Sequence, residues 1–316
     1  MKLIIQIPCF NESGTLSIAV GALPRQVAGF DVVEYMVVDD GSTDGTAELA
    51  VSLGVHHVVR HPVNRGLAEA FMSGIDNCLR LQADVIVNTD ADNQYDADDI
   101  QKLTAPILAR QADMVIGGRP IGETGHFSFM KKRLQYLGSW AVRMASKTRV
   151  ADAPSGFRAI SRETAMRLNV FNAYTYTLET IIQAGQSNLR VLSVPVRTNP
   201  DLRPSRLVKS TSGYVGRSVV TILRVFITYR PLFFFFWLAL LLAVVGIALG
   251  LRFVYFVAIG DGNGHVQSLI LASLALTLAA LAGMSGLVAD LIATNRKLLE
   301  KINQRMLQQV SGRQDG

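Results

Sequence analysis

Two long apolar runs near the end of the chain limit its fold more than any other feature of the sequence. They cover residues 231–259 and 266–289; Arg252 is the single charge in the first run, and the second has none. A helix needs roughly 20 mostly apolar residues to cross a bilayer. A glycine-rich turn at 260–264 separates the runs. The sequence therefore predicts two membrane-spanning helices, at about 231–259 and 266–290, rather than two core helices of a soluble protein.

Cationic residues flank both predicted spans at the same end of the hairpin. They are Arg217, Arg224 and Arg230 before the first span, and Arg296, Lys297, Lys301 and Arg305 after the second. Loops rich in lysine and arginine stay on the cytoplasmic side of a membrane. We therefore expect a multi-pass protein of the cytoplasmic (inner) membrane, with the N-terminal domain and both termini in the cytoplasm.

The basic charge of the chain favours the membrane surface over nucleic acid as a partner. The net charge is +6, and the basic residues lead directly into the first span. Residues 210–230 alternate apolar side chains near helical spacing with Arg217 and Arg224. This pattern predicts an amphipathic helix lying in the cytoplasmic interface. An ordinary helix packed on the preceding domain is the alternative.

One pair of small residues in the first span suggests self-association. Gly246 and Gly250 are four residues apart, the spacing that lets two membrane helices approach closely. The sequence therefore predicts a homo-oligomer.

The remaining N-terminal part alternates short apolar runs with amphipathic stretches. Strands are predicted at 3–7, 32–38, 55–60, 84–89 and 113–117, and helices at 13–23, 45–53, 66–80 and 97–110. This alternation predicts an α/β domain with a Rossmann-like, mostly parallel sheet and helices on both faces. The predicted organisation is a domain at 1–209, a juxtamembrane segment at 210–230, two spans within 231–294 and a cytoplasmic tail at 295–316.

Two carboxylates one residue apart follow the predicted strand at 84–89. Asp90 and Asp92 are followed closely by Gln94. Carboxylate and amide oxygens are hard ligands that suit Mg²⁺ or Mn²⁺, and such ions usually also bind substrate phosphates. The pattern predicts a divalent-metal site for a phosphate-bearing substrate. Aspartates are also common in turns, so a solvated loop is the alternative for these two residues taken alone.

Polar clusters follow three of the predicted strands, at residues 8–12, 39–46 and 90–92. Ligands of α/β sheets bind beyond the carboxyl ends of the strands, so we expect the clusters to meet in one crevice. An aspartate at 39 or 40 can accept a hydrogen bond from a base or a ribose hydroxyl. The chain has neither a P-loop nor a Gly-x-Gly-x-x-Gly motif, so kinase-like and dinucleotide-binding functions lack sequence support.

Five motifs in series resemble those of family 2 glycosyltransferases with the GT-A fold. They are Ile-Pro-Cys-Phe-Asn-Glu at 7–12, Val-Val-Asp-Asp-Gly-Ser-Thr-Asp-Gly-Thr at 37–46, Asn-Arg-Gly-Leu at 64–67, Asp-Ala-Asp-Asn-Gln at 90–94 and Asp-Ala-Pro-Ser-Gly-Phe-Arg at 152–158. Within that family the chain resembles the membrane-anchored polyprenyl-phosphate glycosyltransferases, a group that includes dolichyl-phosphate mannose synthase. Two positions depart from the family pattern: Cys9 replaces a common Thr or Val, and Arg206 replaces a common Lys.

This resemblance implies roles for particular residues. The nucleotide-sugar would be held by Pro8, Phe10, Asn11, Glu12, Asp39, Asp40, Asp90 and Ala91, with one or both of Asp39 and Asp40 on the nucleoside. The metal, Mg²⁺ or Mn²⁺, would be held by Asp90, Asp92 and Gln94. The acceptor phosphate would be bound by Arg119, Arg133, Arg203 and Arg206.

The acceptor determines how much base catalysis the reaction needs. A phosphate monoester has a second pKa of about 6 and is largely a dianion near neutrality. The enzyme must therefore bind and orient such an acceptor, and has little need to remove a proton from it. Asp92 and Arg119 are therefore the expected catalytic residues, and Asp152 is the candidate if a base is used. Asp152 is equally interpreted as structural, orienting Arg158 or capping a helix near Ser161.

The predicted function is the inverting transfer of one hexose from a UDP- or GDP-linked sugar to undecaprenyl or dolichyl phosphate at the cytoplasmic face of the membrane. The product would donate sugar for cell-envelope glycans or glycoconjugates. One alternative is a membrane glycosyltransferase with a hydroxyl acceptor, such as a polysaccharide synthase or a glycolipid enzyme. Another is a catalytically silent membrane scaffold.

Overall fold

The computed structural model describes residues 1–119, 143–144, 146, 148, 150, 152–170, 176–200, 220, 223–224 and 227–312. Arg133, Arg203, Arg206 and most of the predicted amphipathic segment lie outside the described residues. The chain divides into two compact units near residue 220, and each is described by itself. The predicted domain borders stay predictions.

The first unit is built on a mixed sheet whose described part has seven strands. They are β1 (Lys2–Cys9), β2 (Val32–Asp39), β3 (His57–Arg60), β4 (Val85–Asn88), β5 (Met114–Gly118), β6 (Arg158–Ser161) and β7 (Val191–Pro195). Their order across the sheet is β3-β2-β1-β4-β6-β5-β7. The pairings of β6 with β4 and β5 are antiparallel, and the others are parallel. The predicted mostly parallel α/β sheet is confirmed.

Helices connect the strands largely where the sequence predicts them. The helices of the first unit are α1 (Leu16–Ala22), α2 (Thr46–Ser52), α3 (Leu67–Arg80), α4 (Ile100–Leu108), α5 (Arg162–Ala165) and α6 (Thr177–Gln186), with a 3-10 turn at Ala97–Asp99. The four helices that the sequence predicts are up to three residues shorter at either end than the predicted segments, because the chain leaves α-helical hydrogen bonding there, at Ala97–Asp99 for the 3-10 turn. The site loops follow β1, β2 and β4, which are neighbours in the sheet.

The central strand β1 is buried on both faces. Leu3, Ile5 and Ile7 point to one side and Ile4 to the other, and all four are fully buried. A strand covered by helices on both faces needs such a continuous apolar run. Gln6 is the polar exception: its Nε2 donates to Asn88 Oδ1 of β4 at 3.0 Å, which pairs the two buried amide side chains.

Gly74 sets how closely α3 packs on the sheet. A Cβ at this position would collide with Gln6 Oε1 and lie 3.1 Å from Val38 Cγ2. We therefore expect Gly74→Ala to lower the stability of the first unit by about 1–3 kcal/mol, because overpacking a filled interface outweighs the better helix propensity of alanine. The thermal midpoint of the purified protein measures this effect.

Gly21 provides the matched control for that substitution. It also lies in a helix, α1, but a Cβ there would have nothing within 4 Å. Gly21→Ala should leave the thermal midpoint unchanged or raise it, since alanine favours helix by up to about 1 kcal/mol. Equal destabilisation by both substitutions would contradict the packing argument.

The second unit contains two long helices, α7 (Pro231–Ala258) and α8 (Val266–Gly312), joined through a 3-10 turn at Asn263–His265. Both are long and apolar enough to cross a membrane, over Pro231–Ala258 and Val266–Asn295. Most of their large apolar side chains are exposed, unlike those of core helices in a soluble protein. This exposed apolar surface supports association with lipid. Helix α8 continues past the predicted end of its span because no glycine or proline interrupts residues 287–311.

Gly246 and Gly250, the pair of small residues in the first span, face the second helix of the hairpin. A Cβ at Gly246 would lie 2.8 Å from Leu276 Cγ and 3.2 Å from the carbonyl oxygen of Ala272, both on α8, and Gly250 faces Ala272 Cβ at 3.9 Å. The glycines therefore let α7 and α8 approach each other closely. Because α8 covers this face, it is not a free surface for a second copy, and the homo-oligomer stays a prediction.

Candidate active site

The loops after β1 and β2 are bonded to each other at the carboxyl edge of the sheet. The Asp40 amide donates to the carbonyl oxygen of Cys9 at 2.8 Å. Asn11, in a left-handed conformation with φ 55°, receives a bond from the Thr43 amide at its Oδ1 (2.9 Å), while its own amide donates to Ser42 Oγ at 2.8 Å. These bonds fix the polar segments 9–13 and 40–46 as one surface.

Asp44 ties the same two loops together by its carboxylate. It accepts from the Ser13 amide at 3.0 Å and from the Thr46 amide at 3.1 Å. Burial raises the pKa of Asp44, but the hydrogen bonds from Thr46 and Ser13 outweigh it and hold that pKa at about 2. The Asp44 carboxylate is therefore ionised at neutral pH and serves the loop structure.

Asp39 and Asp40, which the sequence leaves equivalent, differ in their surroundings. The carboxylate of Asp40 accepts from His61 Nδ1 at 2.7 Å and from the amides of Arg65 and Gly66 at 2.9 and 2.8 Å. Asp39 accepts a bond from the Ser42 amide at 3.2 Å. Asp40 is thus occupied with holding the segment at 61–66, and Asp39 has more accepting capacity left for a ligand.

Asp90, Asp92 and Gln94 lie on the turn that follows β4. The Gln94 amide donates to Asp92 Oδ1 at 3.1 Å, and Gln94 Oε1 accepts from Arg119 Nη1 at 3.3 Å. Asn93 between them is left-handed, with φ 57°. The turn therefore brings two carboxylates and an amide oxygen to the same sheet edge as Asp39, with a guanidinium beside them.

The charges around Asp90 fit a bound cation. Burial and the negative charges of Asp92 and Glu12 together raise the pKa of Asp90 to about 6, against the opposing effect of Arg119 and Arg158. No group of three or more His, Cys, Asp or Glu suited to a metal occurs in the described part of the chain. Two carboxylates and one amide suit an ion such as Mg²⁺ or Mn²⁺, which fills its other positions with water and phosphate oxygens.

Arg119 and Asp152 form a bidentate ion pair. Arg119 Nε donates to Asp152 Oδ2 at 2.7 Å, and Nη2 donates to Oδ1 at 3.1 Å. The Arg119 amide also donates to Oδ2 at 3.3 Å, and the Asp152 side chain is fully buried. Of the two structural roles considered for Asp152, orienting an arginine is closer to what is observed, but the arginine is Arg119. Ser161 caps α5 with its own side chain.

A buried layer that the sequence analysis missed lies beneath Asp90. Asn88 Nδ2 donates to the Gly156 carbonyl and to the Tyr176 hydroxyl, both at 2.9 Å. The Tyr176 ring stacks on Phe71 with centroids 3.9 Å apart. An asparagine inside an otherwise apolar strand was the signal in the sequence, since a buried amide needs partners.

Arg158 belongs to the same layer. It is fully buried, donates to the carbonyl oxygens of Ser155 and Thr177, and lies 5.1 Å from the centre of the Tyr176 ring. Its Nε has no hydrogen-bond partner among the described residues. Burial lowers the pKa of Arg158, while the neighbouring Tyr176 raises it.

The other predicted donor-site residues lie on these loops. Pro8 lies in β1, Phe10 has an exposed ring, Ala91 is buried, and Glu12 Oε2 accepts from Thr15 Oγ1 at 3.0 Å. The structure thus places all the predicted donor and metal residues, together with Arg119, at the carboxyl ends of β1, β2, β4 and β5 or in the loops that follow them. The three other predicted acceptor arginines are outside the described residues.

Residues 4–174 match the family model described as glycosyl transferase family 2. The undecaprenyl-phosphate mannosyltransferase of Micrococcus luteus is 27% identical over 235 residues, which are 71% of this chain and 93% of that protein. The UDP-N-acetylglucosamine–dolichyl-phosphate N-acetylglucosaminyltransferase of Methanococcus voltae is 28% identical over 214 residues, 61% of this chain and 83% of that protein. Glucosyl-3-phosphoglycerate synthase from Mycobacterium tuberculosis, solved with Mn²⁺, UDP and glucosyl-3-phosphoglycerate, superposes with a TM-score of 0.53 at 22% identity, covering 70% of this chain and 79% of that chain.

Proposed function

Because this chain belongs to glycosyl transferase family 2 and is similar to polyprenyl-phosphate glycosyltransferases within it, we propose that it transfers one hexose, with inversion, from a UDP- or GDP-linked sugar to a polyprenyl phosphate. The observation that carries this proposal is the meeting of Asp39, the Asp90–Gln94 turn and Arg119 at one sheet edge. The exposed apolar hairpin of the second unit supports an acceptor that resides in the membrane. Undecaprenyl and dolichyl phosphate are the acceptors considered.

The donor half of the site is assigned to the loops after β1, β2 and β4. Asp39 is proposed to accept from the nucleoside, beside the exposed ring of Phe10, while Asp40 keeps the 61–66 segment in place. Asp90, Asp92 and Gln94 would hold Mg²⁺ or Mn²⁺. When bound, such an ion neutralises charge that develops on the departing diphosphate. The Mn²⁺ and UDP bound by the solved structural relative support this assignment.

Arg119 is proposed to bind the acceptor phosphate. Among the described residues, three of its five N–H groups have partners, two on Asp152 and one on Gln94, and one N–H on each terminal nitrogen is proposed to donate to the phosphate. Arg133, Arg203 and Arg206 are proposed to complete the phosphate site. A phosphate oxygen then forms the bond to the anomeric carbon as the bond to the nucleoside diphosphate breaks.

Asp152 is proposed to position Arg119 rather than to act as a base. Both of its oxygens accept from Arg119, and a carboxylate in a buried bidentate pair is poorly placed to take a proton. A phosphate acceptor with a second pKa of about 6 requires no base near neutrality. A hydroxyl acceptor would require one, so this pair favours the phosphate acceptor.

The proposal is tested with the full-length protein in detergent or nanodiscs. Labelled UDP- and GDP-sugars are offered with undecaprenyl or dolichyl phosphate, with Mg²⁺, Mn²⁺ or EDTA. We expect one donor to give a lipid-linked product that EDTA abolishes. Donor binding without any lipid product would contradict the polyprenyl-phosphate acceptor and direct attention to hydroxyl acceptors. Absence of nucleotide-sugar binding would favour the alternative of a catalytically silent membrane scaffold.

The cytoplasmic orientation is part of the same proposal. The cationic residues at 217–230 and 296–305 support a cytoplasmic position for the catalytic domain and both ends of the hairpin. Protease should therefore remove the N-terminal domain from inside-out membrane vesicles but not from right-side-out ones. The opposite result would reverse the proposed topology.

A further inference from the structure

The segment that follows β7 lies across the turn that carries the candidate cation ligands. The Asp96 amide donates to the Arg197 carbonyl at 3.2 Å, and Thr198 forms an isolated antiparallel bridge with Tyr95. The Asn199 amide donates to the Gln94 carbonyl at 2.9 Å. Residues 197–199 therefore pair with residues 94–96, although this turn lies in no helix or strand.

The side chain of Asn199 extends this pairing to both sides of Gln94. Its Nδ2 donates to the carbonyl oxygens of Asn93 at 2.9 Å and of Tyr95 at 3.2 Å. Three successive carbonyls of the turn, at 93, 94 and 95, thus accept from one residue. Backbone carbonyls outside regular structure need such partners when they are buried. The left-handed conformation of Asn93 is an uncommon one for a residue other than glycine, so the turn relies on bonds from outside.

We infer that Asn199 is a positioning residue that holds Gln94 in the orientation needed for the cation and the diphosphate. Gln94 is fixed through its backbone by Asn199, while its own amide and side chain bond Asp92 and Arg119. This inference rests on the proposed function. Arg203, one of the proposed acceptor residues, follows Asn199 by four residues in the sequence.

Arg197 provides a matched control in the same segment. Its side chain bonds Asp99 through Nε at 3.1 Å and Nη2 at 2.9 Å and pairs with the Asp96 carboxylate through Nη1 at 3.0 Å, so it contacts the side chains at the 3-10 turn and not the carbonyls at 93–95. Both Arg197→Gln and Asn199→Leu remove side-chain hydrogen bonds that the 197–199 segment donates. Leucine has nearly the shape of asparagine but cannot donate, and Asn199→Ala tests the same loss without added bulk.

The experiment measures Mn²⁺ affinity by electron paramagnetic resonance on the full-length protein in the presence of UDP, or of GDP if that is the nucleotide that the wild type binds, together with the thermal midpoint. We expect Asn199→Leu and Asn199→Ala to weaken Mn²⁺ binding roughly tenfold, as the loss of two hydrogen bonds allows, and Arg197→Gln to leave it within about twofold. Transfer by the Asn199 variants should recover in part at high Mn²⁺.

Two results would overturn the inference. One is unchanged Mn²⁺ affinity in both Asn199 variants. The other is equal weakening in Arg197→Gln with equal loss of thermal stability, which would mean a structural role alone. Neither result depends on the acceptor, because binding of Mn²⁺ and UDP is measured without lipid. Failure of wild-type transfer to polyprenyl phosphate would instead contradict the proposed function.

Discussion

Asp92→Ala is expected to reduce sugar transfer by at least about 100-fold, because it removes one of two carboxylates from the candidate cation site and with it the stabilisation of the leaving diphosphate. The same substitution deletes the acceptor of the Gln94 amide bond, so the turn loses a local support as well. Initial rates with a labelled nucleotide-sugar and polyprenyl phosphate measure the effect at saturating donor.

Asp98→Ala is the control for removing a negative charge from the same region. Asp98 lies six residues further on, its side chain is exposed, and its contact with Arg197 is 3.9 Å long. Transfer by this variant should stay within about twofold of wild type, since exposed charge pairs contribute little. Near-normal transfer by Asp92→Ala would contradict the assignment of the cation site.

Gly156→Ala is expected to give the second largest loss. A Cβ at this position would lie 2.7 and 2.9 Å from the two carboxylate oxygens of Asp90 and 3.0 Å from the Tyr176 hydroxyl. Tyr176 is held by its stack on Phe71 and by Asn88, so Asp90 must move. Overpacking of this kind costs about 1–3 kcal/mol, or about 5- to 150-fold in a binding constant.

Isothermal titration of UDP, or of GDP if that is the nucleotide that the wild type binds, measures this loss in the presence of Mn²⁺, with circular dichroism as a check of folding. Gly14→Ala is the matched control, because Gly14 lies near the donor loops and a Cβ there would meet nothing within 4 Å. We expect Gly14→Ala to bind UDP as wild type does. Equal binding by the two variants would show that the space above Gly156 is not needed to place Asp90.

Strands β1 to β5 were predictable because each has a local apolar run, whereas β6 and β7 were not predicted. The apolar run of β1 and the strand before Asp90 have the length and composition of buried strands, and the carboxyl ends of neighbouring parallel strands must lie close together. The three polar clusters therefore could be placed at one edge before any coordinates. The antiparallel pairing of β6 could not be predicted, because no local sequence pattern encodes the direction of a four-residue strand in the sheet.

The contacts of particular side chains could not be predicted from the sequence. Asp39 and Asp40 are adjacent and chemically identical, and only the path of the 61–66 segment separates their roles. Asn199 bonds a carbonyl 106 residues earlier. Such contacts depend on how distant segments meet after folding, whereas hydrophobic periodicity reports only on each element by itself.

The Arg119–Asp152 pair has a consequence for how enzymes of this design diversify. It joins two positions 33 residues apart in sequence, at the points where the chain leaves β5 and returns towards β6. The pair holds the two ends of the intervening stretch together. Lengthening a segment whose ends are held together costs only about 0.6 kcal/mol per doubling of its length. We therefore expect that a stretch taken from another member of the family can be grafted between these two residues without rebuilding the donor half, which would make the stretch with the proposed acceptor residue Arg133 exchangeable as a module.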